Sequence, residues 1–263
     1  MTSMIDWLRD DSLSGIDVDA EARMAAHAQV LARKPILRAV FAEFHHLFRA
    51  LDERYLTGLG KRIELGAGIA PMRDSYPDVL ATDVVADPHL DMILDAQQIN
   101  LPDESVRVFY AQNCFHHLGQ PSQFFRELER TLVPGGGAIL LEPYYGPVAG
   151  FLFRRLFRTE GFDKAYPSWQ TPVEGPMNGA NQALSYIVFI RDRASFERDF
   201  PDLEIVHHRL CNNYLRYLAS GGLNFRQLVP NWSNRPLQGV EFVLSPLNRL
   251  LSIHHVVVLR KRS

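Results

Sequence analysis

From Pro35 onward the apolar residues Leu37, Val40, Phe41, Phe44, Leu47, Phe48, Leu51 and Tyr55 recur at three- and four-residue steps. That period puts them on one wide stripe of a helix. Pro35 suits its first turn, and Gly58 and Gly60 suit its end. After Gly60 the pattern shortens. Lys61 to Leu65 reads as a strand entering the glycine turn Gly66-Ala67-Gly68. Val79 to Val85, Leu90 to Leu94, Val106 to Ala111 and Ala138 to Leu141 read as further strands. Between the last two, Pro121 to Leu132 carries Phe124, Phe125 and Leu128 on one helical face, and Pro134-Gly135-Gly136-Gly137 stops it. Short apolar strands separated by helix-length segments predict an α/β fold, a doubly wound parallel sheet with crossover helices.

Past Glu142 the alternation fails. Residues 143–182 are rich in Pro, Gly and aromatics and too long for a plain connection, so they are expected to form a lid or substrate insertion. A helix near Ala194 to Phe200 and strands near Leu203 to Leu210 and Ile253 to Leu259 follow. The expected organisation is an N-terminal helical cap over 1–60 and a single main domain over 61–263, its C-terminal part an elaboration.

Composition narrows this only a little. In 263 residues the apolar fraction is 46%, the charged fraction 22% and the net charge −2, as in an ordinary globular protein. No long basic stripe marks a nucleic-acid footprint. Two cysteines, Cys114 and Cys211, are too few for a disulfide framework or a zinc cluster. The acidic start lacks the form of a signal peptide, and no apolar run reaches spanning length. A cytoplasmic location is expected.

Candidate chemistry centres on Glu64-Leu65-Gly66-Ala67-Gly68-Ile69-Ala70-Pro71. Glycines serve where backbone turns sharply off a strand and a ligand lies on it. A dinucleotide fingerprint would place a third glycine at position 71. Pro71 stands there instead, with no N–H to offer a pyrophosphate. Asp83 falls about one βα unit later, where a carboxylate takes ribose hydroxyls. Asp95 ends the next strand. With Glu64 these make an anionic site, suited to a cationic sulfonium nucleoside.

In order, E-L-G-A-G, T-D, L-D-A-x-x-x-x-L-P, F-Y-A-x-N-x-x-H-H-L and E-L-x-R-x-L-x-P-G-G span roughly Lys61 to Glu142. This series resembles class I S-adenosylmethionine-dependent methyltransferases, in particular the broad bacterial small-molecule, type 11-like group that includes quinone-biosynthesis enzymes. Ala70 departs from it, standing where the family usually has a third glycine. The resemblance implies a doubly wound, mostly parallel seven-stranded sheet of Rossmann-like methyltransferase type, with N-terminal helices and a C-terminal elaboration. It implies S-adenosylmethionine as cofactor, with Glu64, Gly66 and Gly68 at its methionyl end, Asp83 at the ribose, Asp95 and Ala96 at the adenine, and Asn113 closing the site. Ala67, Val84 and Cys114 complete the expected cofactor set.

Methyl transfer from a sulfonium is an in-line displacement, for which positioning supplies most of the acceleration. A general base helps where the acceptor must lose a proton, and His116 and His117 are the candidates. The pairs His45-His46, His207-His208 and His254-His255 lack the i, i+4 spacing of a helical metal site, and no metal is expected. Asn113-Cys114-Phe115-His116 differs from the Asn/Asp-Pro-Pro-aromatic loop of base-amino methylases, which disfavours nucleic acid. The acceptor pocket is expected from Tyr144, Tyr145, Asn181 and Tyr214, with Trp169, Asn178 and Tyr217 nearby. Phe151 to Arg158 mixes aromatics with three arginines, giving a lid helix or a weak membrane-surface contact. The leading expectation is methyl transfer to oxygen, less so carbon, of a small metabolite, sugar or lipid-linked intermediate. A Rossmann-type oxidoreductase and a non-catalytic nucleoside-binding module are the competing readings.

Overall fold

The computed structural model describes residues 8–13, 22–69, 71–156, 161–172 and 180–263, without the side chains of residues 22, 23, 152 and 154–156. Ala70, Asn178 and the end of the Phe151 to Arg158 segment therefore lie outside the described residues. Two compact units divide the chain. One comprises 1–44, 145–159 and 210–254; the other comprises 45–144, 160–209 and 255–263.

The second unit is built on a seven-stranded sheet of β1 (Lys61–Leu65), β2 (Val79–Asp83), β3 (Met92–Ile93), β4 (Val106–Gln112), β5 (Leu132–Pro143), β6 (Leu203–Leu210) and β7 (His254–Lys261). The strand order is β3-β2-β1-β4-β5-β7-β6. β1 pairs in parallel with β2 on one side and β4 on the other, so that Glu64 lies opposite Ala81 and Tyr110. The order reverses between β1 and β4, the switch point at which open α/β sheets hold ligands. β7 runs against β6: Cys211 N–H bonds His254 C=O at one end, and Arg262 N–H bonds Asp202 C=O at the other. The sheet is thus doubly wound and mostly parallel, with β7 the reversed strand.

Among the helices, α1 (Ala22–Ala32), α2 (Pro35–Tyr55), α3 (Pro121–Thr131), α4 (Pro147–Leu156), α5 (Arg193–Asp199), α6 (Tyr214–Ser220), α7 (Asn234–Leu244) and α8 (Asn248–Leu251) follow in chain order. The α2 stripe is buried at Leu37, Val40, Phe41, Phe44, Phe48 and Leu51. In the second unit, Phe115, Phe124, Phe125, Phe189, Phe196 and Phe200 close one face of the sheet, their rings in tilted and edge contacts. The helical period seen in Phe124, Phe125 and Leu128 is the side of α3 facing that cluster.

Two features differ from the sequence reading. Pro134 to Gly137 was expected to end a helix ahead of a strand at Ala138; β5 already starts at Leu132. Its pairing with β4 jumps from Val106↔Leu132 to Val108↔Gly137, so the intervening residues bulge out of register. Gly135 takes φ +76°, which only glycine adopts readily. The strand expected over Leu90 to Leu94 shortens to β3 at Met92–Ile93, and α4 lies within the region 143–182.

One buried ion-pair network ties the C-terminal half of α2 to the sheet. Asp52 is fully buried and accepts from Arg62 Nε at 3.0 Å, Arg107 Nε at 2.9 Å and the Tyr110 hydroxyl at 2.9 Å.

Candidate active site

The carboxyl ends of β1, β2, β4 and β5 carry the residues singled out by sequence. The chain leaves β1 at Gly66 with φ +63° and passes Gly68 at φ +52°. A side chain at Gly66 would stand 2.8 Å from Cys114 Sγ, so the turn needs glycine both for its backbone and for the approach of the β4 loop. Gly68 N–H donates to Asp83 Oδ2 at 3.3 Å, and Val85 N–H donates to Asp83 Oδ1 at 3.1 Å. Ala67 N–H donates to the Thr82 carbonyl at 2.9 Å. Asp83 thus holds the glycine turn in shape from the end of β2.

Glu64 is 3% exposed, and its Oε2 accepts from Met72 N–H at 2.6 Å. Burial pushes its carboxyl up to about 8, over the opposing effect of that N–H, and the charges of Asp74 and Asp83 push it the same way. The Cys114 thiol is shifted upward by burial and by Glu142, Asp83, Glu64 and Asp95 in turn. Burial and the neighbouring acids therefore keep Cys114 a thiol. Asp95 itself is exposed and accepts from Gln97 N–H at 2.8 Å, while Ala96 is buried in the core and Val84 half-exposed.

Asn113, directly after β4, has φ +51° and donates its N–H to Leu141 C=O. Its Oδ1 and the Gln112 Oε1 are buried without a hydrogen-bond partner. Buried acceptors of this kind need a donor, and an anionic surround favours a cationic one. The donor set therefore fits S-adenosylmethionine, which carries an ammonium and a sulfonium.

Glu142, at the end of β5, is a residue that sequence reasoning passed over as a boundary. It is fully buried. Its Oε1 accepts from Cys114 N–H at 2.9 Å and Phe115 N–H at 2.8 Å, and its Oε2 from His116 N–H at 3.3 Å. The same Oε2 lies 2.6 Å from His116 Nδ1, with His116 itself 2% exposed. The His117 ring lies against that of His116, with centroids 4.1 Å apart. The available signal was a lone acid ending an otherwise apolar buried strand.

The four expected acceptor residues fall in both units. Tyr144 belongs to the sheet-bearing unit, where Lys164 Nζ sits 5.0 Å from its ring centroid and 4.1 Å from that of Tyr186. Asn181 spends its amide on the chain: Oδ1 accepts from Asp163 and Ala183 N–H, and Nδ2 donates to Asp163 C=O. Trp169 Nε1 donates to Asp192 at 2.9 Å. In the other unit Tyr145, at φ +43°, lies on Phe153, and Tyr214 is buried among Ala149 and Ile253 with no partner for its hydroxyl. Tyr217 lies edge-on to His254 in that unit.

Residues 74–140 match the family model described as a methyltransferase domain. Comparison with curated protein sequences yields no match. Among solved structures, geranyl diphosphate C-methyltransferase from Streptomyces coelicolor A3(2) is similar at 12% identity and a TM-score of 0.48, over 96% of this chain and 87% of that one. An S-adenosylmethionine-dependent methyltransferase from Mesorhizobium loti is similar at 14% identity and a TM-score of 0.44, over 81% of this chain and 96% of that one.

The strand order, the glycine turn at the switch point and its acidic surround define a Rossmann-like methyltransferase fold. Within that fold, residues 74–140 match a methyltransferase domain, and the donors around the glycine turn fit S-adenosylmethionine as cofactor.

Proposed function

We propose that the enzyme methylates an oxygen of a small metabolite, sugar or lipid-linked intermediate, with His116 as general base and Glu142 as its positioning residue. The observation carrying this reading is the buried 2.6 Å contact between His116 Nδ1 and Glu142 Oε2. A ring whose Nδ1–H donates a hydrogen bond to a carboxylate presents Nε2 as the basic nitrogen, and the carboxylate steadies the imidazolium once a proton arrives. A hydroxyl acceptor needs such a base; a carbon acceptor already nucleophilic in its neutral form needs it less.

In this reading Glu64, Gly66, Ala67 and Gly68 hold the methionyl end, Asp83 and Val84 the ribose, Asp95 and Ala96 the adenine, and Asn113 with Cys114 closes the site. When bound, S-adenosylmethionine supplies an electrophilic methyl group. Tyr144 and Asn181 shape the acceptor side within the sheet-bearing unit. Cys114 and Cys211 are thiols, not a disulfide, which suits a reducing cytoplasm. No helix among the described residues is long and apolar enough to cross a membrane.

The test supplies S-adenosylmethionine labelled at its methyl carbon together with a panel of phenols, sugars and enolisable carbonyl compounds. Product carbon NMR separates O-methyl from C-methyl. O-methyl product lost in His116→Ala, with S-adenosylhomocysteine binding intact, supports the reading. Exclusive C-methyl product, or full turnover in His116→Ala, overturns it.

A further inference from the structure

We infer that the arginine-bearing apolar face of the C-terminal helices, all within the first unit, docks onto an anionic lipid bilayer. The face is formed by α7, the turn before it and α8. Trp232, Phe242 and Val243 are 77%, 75% and 73% exposed, and Val240, Leu247 and Leu250 about half-exposed. Large apolar side chains held in water at such close spacing along α7 and α8 mark an interaction surface, unlike scattered single exposures. The surface continues onto α4, which packs on α8 and leaves Val148 and Phe151 exposed.

Charge identifies the occupant. Residues 145–159 and 210–254 contain seven arginines and one acid, Glu241, in a chain whose net charge is −2. Glu241 is turned inward: its carboxylate accepts from Arg216 Nε at 2.6 Å and Arg216 N–H at 2.8 Å. Glu43 takes the other two guanidinium nitrogens of Arg216 at 2.5 and 2.6 Å. The one acid on α7 and α8 is therefore buried and paired, and these two helices expose no carboxylate of their own. Arg235 on α7 and Arg249 on α8 are exposed and form no ion pair among the described residues.

An apolar helix face with Trp and Phe, flanked by arginines and free of acids, suits the headgroup boundary of an anionic bilayer. A second copy suits it less: two-fold pairing brings the same patch to itself, setting arginines against arginines with no carboxylate between them. Docking here would hold the enzyme where lipid-linked molecules reside.

The experiment is co-sedimentation of the full chain with vesicles of phosphatidylcholine alone and of phosphatidylcholine with phosphatidylglycerol, alongside light scattering for oligomeric state. Exposed substitutions rarely disturb folding, so Phe242→Ser/Val243→Ser and Arg235→Gln/Arg249→Gln are suitable variants, with S-adenosylhomocysteine binding as the check on integrity. The expected result is binding to the phosphatidylglycerol vesicles only, lost in the Phe242/Val243 variant. Partitioning should fall about fivefold for each arginine removed. Three results overturn the inference: no binding to either vesicle, equal binding to both, or unchanged binding by the Phe242/Val243 variant. A dimer abolished by that variant, without vesicle binding, would assign the face to a second copy instead.

Discussion

His116 Nδ1 sits 2.6 Å from Glu142 Oε2, and the same carboxylate collects the backbone N–H groups of Cys114, Phe115 and His116. One side chain at the end of β5 therefore sets both the path of the loop after β4 and the orientation of the imidazole it carries. Turnover and local structure meet at Glu142, and conservative substitutions separate them.

His116→Ala is expected to lower turnover by roughly 10²–10⁴-fold, the range for a general base, with little change in S-adenosylhomocysteine affinity. Glu142→Gln keeps the size and an acceptor oxygen but loses the charge that supports imidazolium, so turnover should fall while the melting temperature changes little. Glu142→Ala strands three N–H groups and should also destabilise the fold. Steady-state kinetics with calorimetry checks each; equal losses of stability in the Gln and Ala variants would leave Glu142 only a structural part.

Glu64 gives a pH dependence with a defined sign. Its folded value is about 8, against about 4.3 in an unfolded chain. Between these values the folded protein retains a proton that the unfolded chain has released, so this group's contribution to stability falls as pH rises through the window. Glu64→Gln should leave stability unchanged near pH 4 and raise the melting temperature most above pH 8, by roughly 2–4 °C for each kcal/mol recovered.

The same carboxyl governs cofactor affinity in the opposite sense. Meeting a cation requires it to release its proton, so affinity for S-adenosylmethionine should climb from pH 6 to about 8 and then level off. Glu64→Gln should flatten that profile and weaken binding by roughly 1.5–3 kcal/mol, the worth of a hydrogen bond to a charged group. Calorimetry in buffers of different ionisation enthalpy would count the released proton directly.

Asp83→Ala should cost cofactor binding roughly 1–3 kcal/mol and leave the sheet intact, because the residue ends β2 and serves the Gly68 and Val85 amides. Titration of S-adenosylhomocysteine, with circular dichroism for the fold, checks both halves.

Asp52→Ala should lower stability by roughly 3–5 kcal/mol, since it leaves Arg62 and Arg107 without their buried counter-charge. Denaturant unfolding measures this, and turnover of the folded fraction should be unaffected.

Much of the sheet-bearing unit was legible along the chain. The strand runs, the three- and four-residue steps of α2, the Phe124-Phe125-Leu128 face of α3 and the Gly66-Ala67-Gly68 turn are local patterns, each governed by residues a few positions apart. Asp83 at a strand end and Asn113 after β4 followed from the same spacing, and the strand running into Gly66 from Lys61 was correctly bounded. Glu142 was not legible as a partner of His116, because 26 residues separate them and only the parallel pairing of β4 with β5 brings their ends together. The Asp52 network is hidden for the same reason: its arginines lie on β1 and β4, and α2 must be laid on the sheet before one carboxylate meets both. The pattern of arginines with a single acid, Glu241, after residue 210 was present in the sequence, but that this acid turns inward to Arg216 was not. The sequence by itself determined the elements and the turn, through periodicity and backbone constraint. Tertiary structure decided the charge pairings and the base's orientation, because burial sets the strength of an electrostatic contact and burial is a property of the assembled chain.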